Sequence, residues 1–350
     1  MRSLKPTSLV AALITTAVLV TGCQSTQGEL AAKGDAPAAS SEATDTFPVT
    51  IEHALGETTI AEEPKRVVTM GWAAEDAVVA MGVVPVAVPE YGWGADDDGY
   101  LPWFRDAVEA LDAPLPETLD AEDRNGEVNF EQLLSLKPDL ILAPFSGISD
   151  VDYKRLEEIA PTVAYSEKPW AANWQEMTTT VGKALGRSDQ AAELLAESDA
   201  LFAAQAKAHP EFQGVSLAYG MTMVDGQTDL TLYFPADPRV EFVEALGFET
   251  PQSVADFAER STMSSSDNVS LEVLGDFDDV DVFLAWAGND EDKTRTLENP
   301  LVSAWGPVAE GKDLVLTDPS LVWATSSPTA LNVPWALEQL VPQLAELVAR

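Results

Sequence analysis

The stretch DQAAELLAESDALFAAQAKA, Asp189 to Ala208, contains neither glycine nor proline and is dominated by strong helix formers. At 1.5 Å per residue a helix of that length spans roughly 30 Å, enough to carry the chain from one lobe to another. It sits in a segment, 171–209, that divides the folded part of a 350-residue chain into two comparable portions. A helix at that place is a rigid link and predicts small hinge motion. A link of loops would predict a wide clamshell movement instead.

On both sides short apolar runs alternate with helical patterns. Before the link come RVVTM (66–70), VPVAV (84–88), DLILAPF (139–145) and TVAY (162–165). After it come VSLAYG (215–220), LTLYF (230–234), VDVFLAW (280–286) and DLVLT (313–317). Helices are expected between them, such as Ala73–Met81 and Glu131–Leu136. This alternation predicts an α/β protein with two Rossmann-like lobes, mainly parallel sheets and a long connecting helix. VTIEHALGETTIAEEP, ahead of the first lobe, reads as a hairpin with Gly56 in its turn. An internal echo relates the lobes. NFEQLLSLKPDLILA from Asn129 and SLEVLGDFDDVDVFLAW from Ser270 both read cap, apolar residue, Glu, Leu, a turn with Asp and a buried strand. Asn129 and Ser270 are good N-caps, and Glu131 and Glu272 then sit in first turns, where a carboxylate suits the helix dipole.

At the amino end, Arg2 and Lys5 precede an apolar run, Leu9 to Val20, that is too short to span a bilayer. It closes on LVTGC, whose Cys23 is the only cysteine in the chain. This resembles the lipobox of bacterial lipoproteins. Residues 1–22 are thus expected to be a signal peptide, and Cys23 an acylated anchor carrying palmitate on the extracytoplasmic face of the cell membrane. Residues 23–46 are rich in Ala, Ser, Thr and Gly and read as a flexible tether. The expected lobes are 47–170 and 210–350. Asp and Glu number 58 against 20 Lys and Arg, a net charge of −38. Nucleic acid is excluded as a partner, because phosphate binding needs basic patches. Most of this charge reads as a solvated acidic surface.

In open α/β sheets, ligands bind beyond the carboxyl ends of the strands. Those positions are rich in aromatics here: Trp72, Tyr91, Trp93 and Phe145 before the link, and Tyr219, Tyr233, Trp286 and Trp323 after it. Ser146, Met221, Thr222 and Ser326 fall at similar places. Trp103 and Trp335 are expected in the core. Trp93, between Gly92 and Gly94 in a polar loop, is hard to bury. Opposed rings suit a bulky, partly apolar ligand, and each buries 150–250 Å² in a good contact. Enzyme chemistry has little to work with. The only histidines, His53 and His209, fall in the hairpin and at the end of the link. Neither lies where a base or zinc ligand would be needed, and no phosphate loop or nucleophile elbow is present.

RVVTMGWAAEDAVVAMGVVPVAVPEYGWG, NFEQLLSLKPDLILAPFSGIS, the SLEVL segment and NPLVSAWGPVAEGKDLVL together resemble the substrate-binding lipoproteins of iron-siderophore ABC importers. These belong to the class III periplasmic-binding-protein group with a helical backbone, alongside ferric-hydroxamate and cobalamin binders. The resemblance implies a monomeric carrier, not an enzyme, that delivers a ferric siderophore to a permease and its ATPase. It implies no cofactor and no metal site of its own, since iron arrives inside the siderophore. With the strand-end reading, ligand contacts are expected at Trp72, Tyr91, Trp93, Ser146, Met221, Tyr233, Arg239 and Trp286, of which the resemblance matches the five aromatics; it also places permease docking on Glu131 and Glu272. Asp96, Asp97 and Asp98 stand where a hydroxamate binder would carry an arginine, and Arg239 is the best remaining cation. A neutral or cationic hydroxamate is therefore expected over a trianionic catecholate. Cobalamin or haem remains an alternative ligand. An acidic surface lipoprotein acting as an adhesin or a carboxylate enzyme is the alternative from another class.

Overall fold

A computed structural model describes residues 43–119, 128–171 and 173–350. The signal segment, Cys23 and the tether as far as residue 42 lie outside the described residues. The expected hairpin forms, β1 (Val49–His53) pairing antiparallel with β2 (Gly56–Ile60), but its turn is Ala54 and Leu55, and Gly56 opens β2 opposite His53. The first lobe holds β3 (Val67–Thr69), β4 (Ala87–Pro89), β5 (Glu117–Leu119), β6 (Leu140–Leu142) and β7 (Thr162–Val163). Their order is β5-β4-β3-β6-β7, every pairing parallel. The apolar runs of β3 and β6 are buried at every residue, as strands covered by helices on both faces must be.

The second lobe holds β8 (Leu217–Met221), β9 (Asp229–Tyr233), β10 (Ser266–Ser270), β11 (Val282–Trp286) and β12 (Asp313–Leu316), in the order β10-β9-β8-β11-β12. Here β8, β11 and β12 run parallel, but β9 is antiparallel to both β8 and β10. Only TMVDGQT separates β8 from β9. A parallel neighbour needs a crossover of a dozen or more residues, so this loop forces a return. Strand β10 is a polar edge strand whose single well-buried residue is Val269, which explains its weak signature in the sequence.

The link is one 21-residue helix, Ser188–Ala208. Asp45 satisfies its free amino end: Oδ2 accepts from Ser188 N at 3.2 Å and from Ser188 Oγ at 2.6 Å. Thr44 and Asp45 also donate their backbone amides to Gly186 O. Within the stretch expected as tether, Thr44 and Asp45 thus dock on the end of one helix and the start of the next. Near the start of the helix Ala191 packs with Val181 and Met177, while near its end Phe202 packs edge-on to Phe242 at 5.0 Å. It touches one lobe at each end. The lobes also meet directly. A single apolar cluster runs from Tyr91, Trp103 and Phe104 to Val333, Leu337 and Leu340 of the terminal helix Val333–Val348, with Trp103 and Trp335 at 5.2 Å.

The two echo segments differ in detail. Asn129 accepts from Gln132 N at 3.1 Å and starts the α-helix Phe130–Leu136. Ser270 accepts from Glu272 N at 3.4 Å, but Leu271–Asp276 is a tighter 3₁₀ turn. Gly275 in that turn weakens any α-helical continuation.

Candidate functional site

A cavity of about 710 Å³ lies between the lobes, within the range that holds small-molecule ligands. Its first wall comes from residues that follow the carboxyl ends of four parallel strands: Trp72 after β3, Trp93 after β4, Phe145 after β6 and Trp170 after β7. Trp72 stands edge-on to Phe145 at 5.9 Å and tilted against Trp170 at 5.1 Å. Gly147 lets Trp170 settle, since a Cβ there would lie 2.4 Å from its Nε1. Trp93 is 37 % exposed and faces Trp286 of the second lobe at 5.8 Å.

The second wall is built differently. Trp286 ends β11, but Asp237, Arg239 and Glu241 come from the start of the helix Pro238–Glu244, which follows the antiparallel β9. Ser264 and Ser265 lead into β10, whose first residue pairs with the last of β9. Trp323 and Ser326 lie on the helix Pro319–Ser326. Trp323 joins the walls. Its ring stands edge-on to Trp72 at 5.1 Å, and its Nε1 donates to Trp93 O at 2.6 Å. Beside it Ser320 Oγ donates to Gly94 O at 2.7 Å. Gly94 has φ +86°, and a Cβ there would lie 2.7 Å from Trp323 Cδ1, so this close approach needs glycine.

Among the described residues the charged groups of the lining are two carboxylates and one guanidinium. Arg239 donates from Nη1 to both oxygens of Asp237 at 3.0 Å and from Nε to Ser326 Oγ at 2.9 Å. Its guanidinium lies 4.3 Å over the Tyr233 ring. Burial works against its charge, but Tyr233, Asp237 and Tyr219 outweigh this and raise its pKa. Glu241 is raised by partial burial first, then by Glu244 and Asp237.

Behind the first wall lies a buried acid pair that sequence reasoning missed. Glu75 Oε1 accepts from Tyr91 OH at 2.6 Å, and Asp76 Oδ2 accepts from Trp103 Nε1 and Thr329 Oγ1 at 2.8 Å each. Glu75 Oε2 and Asp76 Oδ1 have no hydrogen-bond partner among the described residues. Burial pushes Glu75 up to about 8, helped by the neighbouring Asp76 charge, and Asp76 up to about 7. Their signal was two acids within AAEDAVVAM, a short helix otherwise wholly apolar.

Of the expected contacts, Trp72, Trp93, Arg239 and Trp286 line the cavity. Four others do not. Tyr91 is 4 % exposed; its hydroxyl accepts from Ala73 N and donates to Glu75, so it supports Trp323 from behind at 5.5 Å. Ser146 is buried and turns its hydroxyl onto Ala143 O at 2.8 Å. Met221 packs on the core of the second lobe. Tyr233 is buried under Arg239 and accepts from Trp286 Nε1 at 2.9 Å. Trp170, Asp237 and Glu241 are among the additions. Trp170 comes seven residues after β7, beyond the reach of a strand-end rule.

Asp96 and Asp98 stay off the lining; they bind Arg105 at 2.5 and 2.8 Å and close their own loop, with Asp96 also accepting from Tyr100 N. Glu131 and Glu272 are exposed on their first turns. His53 is held by Thr58 at 2.9 Å and His209 by Glu211 at 2.8 Å; neither lines the cavity. Among the described residues no three His, Cys, Asp or Glu side chains are grouped to hold a metal ion, and no helix is long and apolar enough to cross a membrane.

Residues 67–320 match the family described as periplasmic binding protein. The chain belongs to that family. This periplasmic binding protein is similar to the Fe(3+)-citrate-binding protein YfmC of Bacillus subtilis, 28 % identical over 244 residues that cover 69 % of each chain. It is 26 % identical over 272 residues to the ferric enterobactin-binding periplasmic protein FepB of Escherichia coli, covering 73 % of this chain and 80 % of that one. Among solved structures it is similar to PiaA of Streptococcus pneumoniae in complex with ferrichrome. That match has a TM-score of 0.75 and 28 % identity and covers 86 % of this chain and 99 % of PiaA. The family is a substrate-binding component of transporters, and the α/β lobes with a helical link agree with it.

Proposed function

We propose that this periplasmic binding protein captures a ferric siderophore outside the cytoplasmic membrane and delivers it to the permease of an ABC importer. The observation that carries this reading is the cavity between the lobes, walled by Trp72, Trp93, Trp170, Trp286 and Trp323. At roughly 25 cal/mol per Å², a few such rings supply several kcal/mol to a bulky ligand. The protein performs no chemistry on its cargo, and the siderophore holds the iron. Relatives that bind ferric citrate, ferric enterobactin and ferrichrome support the class, and their variety leaves the individual ligand to the site.

The lining carries two carboxylates against one guanidinium. A ligand with about three negative charges would need several cationic partners, so the site favours a neutral or cationic ferric hydroxamate. Glu131 and Glu272, one exposed on each lobe, are the proposed docking points for cationic side chains of the permease. Cys23 is the proposed lipid anchor, and residues 24–42 hold the carrier near its permease and raise their effective concentration.

Titration with ferrichrome and a ferrioxamine, read by tryptophan fluorescence, tests the reading. Five of the nine tryptophans line the cavity, so binding should quench most of the emission. No quenching by either at micromolar ligand overturns the proposal. Tight binding of a ferric catecholate without binding of either hydroxamate overturns the ligand class.

A further inference from the structure

We propose that Asp237 sets the charge selectivity of the cavity by cancelling the charge of Arg239 while leaving its hydrogen-bond donors usable. The inference rests on the ferric-complex reading above and names the residue that decides which complexes are accepted.

Among the described residues Arg239 is the only Lys or Arg in the lining. Its position is held from three directions: Asp237 takes Nη1, Ser326 takes Nε, and the Tyr233 ring lies beneath the plane. Among the described residues nothing accepts from Nη2, so those donors remain for a ligand oxygen. Asp237 is 4 % exposed, and its Oδ1 also accepts from Arg239 N at 3.0 Å, which caps the helix Pro238–Glu244. A carboxylate so placed is bound twice to the residue whose charge it compensates. The result is a planar donor with little net charge, matched to the polarised oxygens of a neutral ferric complex. An anionic complex meets the same donor without the attraction a bare guanidinium offers, and with Glu241 beside it.

Asp237→Asn tests this with little disturbance, because Asn is as good an N-cap and its amide oxygen still accepts from Nη1. The probes are ferrichrome, which is neutral, and ferric citrate, which is anionic, titrated against the full chain at low and high NaCl. The wild type should prefer ferrichrome. In Asp237→Asn the affinity for ferric citrate should rise by about tenfold or more, and that for ferrichrome should stay within about threefold. The gain should shrink as NaCl is raised, which a merely structural effect would not do. Asp237→Glu keeps the charge and should show no gain. Asp237→Ser, also neutral and also a cap, makes the same comparison if the amide variant does not fold. An unchanged preference in the neutral variants, a gain indifferent to salt, or a wild type that binds ferric citrate as tightly as ferrichrome each overturns the inference and leaves the proposed function standing. A wild type that binds no ferric complex at all overturns the proposed function, and the inference with it.

Discussion

The two walls of the cavity face one another with opposite chemistry. The first lobe offers Trp72, Trp93, Phe145 and Trp170, each following a parallel strand, and among the described residues no charge. The second offers Trp286 and Trp323 but also Asp237, Arg239 and Glu241, which lie at the start of the helix Pro238–Glu244 that follows the antiparallel β9. The contrast divides the labour. Burial against uncharged rings is nearly indifferent to what the ligand's iron-binding groups are. Paired charges and fixed donors are not. On the proposed function, one wall supplies affinity and the other selects.

The lobes are alike in their exposed glutamates, and that likeness is the first point at which the comparison can be broken. Charge reversal, Glu131→Arg or Glu272→Arg, should abolish ligand uptake by cells while binding by the purified protein stays unchanged. Uptake assays beside titrations check this; lost binding would remove the docking assignment. Next in size is the uncharged wall. Trp72→Ala removes a ring that touches Phe145, Trp170 and Trp323, and should weaken ferrichrome by about 100-fold in calorimetry. A loss under threefold would mean that this wall does not supply the affinity.

The seam behind the walls makes a third test through pH. Glu75 and Asp76 have folded pKa values raised above their unfolded ones, so their carboxyls bind protons more tightly when folded. Below about pH 3 both states are protonated and nothing is lost. As pH rises towards the folded values, about 7 and about 8, stability falls and then levels off. Thermal melts from pH 5 to 9 should therefore decline. Glu75→Gln, which still accepts from Tyr91, should flatten the decline and stabilise the protein at pH 9 by on the order of 2 kcal/mol. An unchanged slope would refute the protonated pair. The smallest effect concerns the join. Trp323→Phe keeps a ring against Trp72 but loses the donor to Trp93 O, and should cost about fivefold in affinity by titration. No change would leave the hydrogen bond between the walls without a role in binding.

Much of this was open to reading along the chain. Asp189–Ala208 became the helix Ser188–Ala208, since an uninterrupted run of helix formers has no local competitor. Trp93 was placed in the cavity because two flanking glycines in a polar loop offer a ring nowhere to be buried. The direction of β9 was also legible, in the seven residues that separate it from β8, although mainly parallel sheets were expected. Tyr91 was not legible. Its seat depends on Glu75, sixteen residues earlier, and on Trp323 from the other lobe.

By itself the sequence determined the α/β elements, the helical link, the excess of acid and the supply of aromatic rings, because periodicity, propensity and composition act over short spans of chain. Only the tertiary structure decided which rings share a cavity, that Tyr233 and Tyr91 stand behind it, and that Asp237 and Arg239 face the wall of the other lobe. Those outcomes depend on contacts between residues far apart in the chain, and on a seam whose geometry exists only once both lobes are packed.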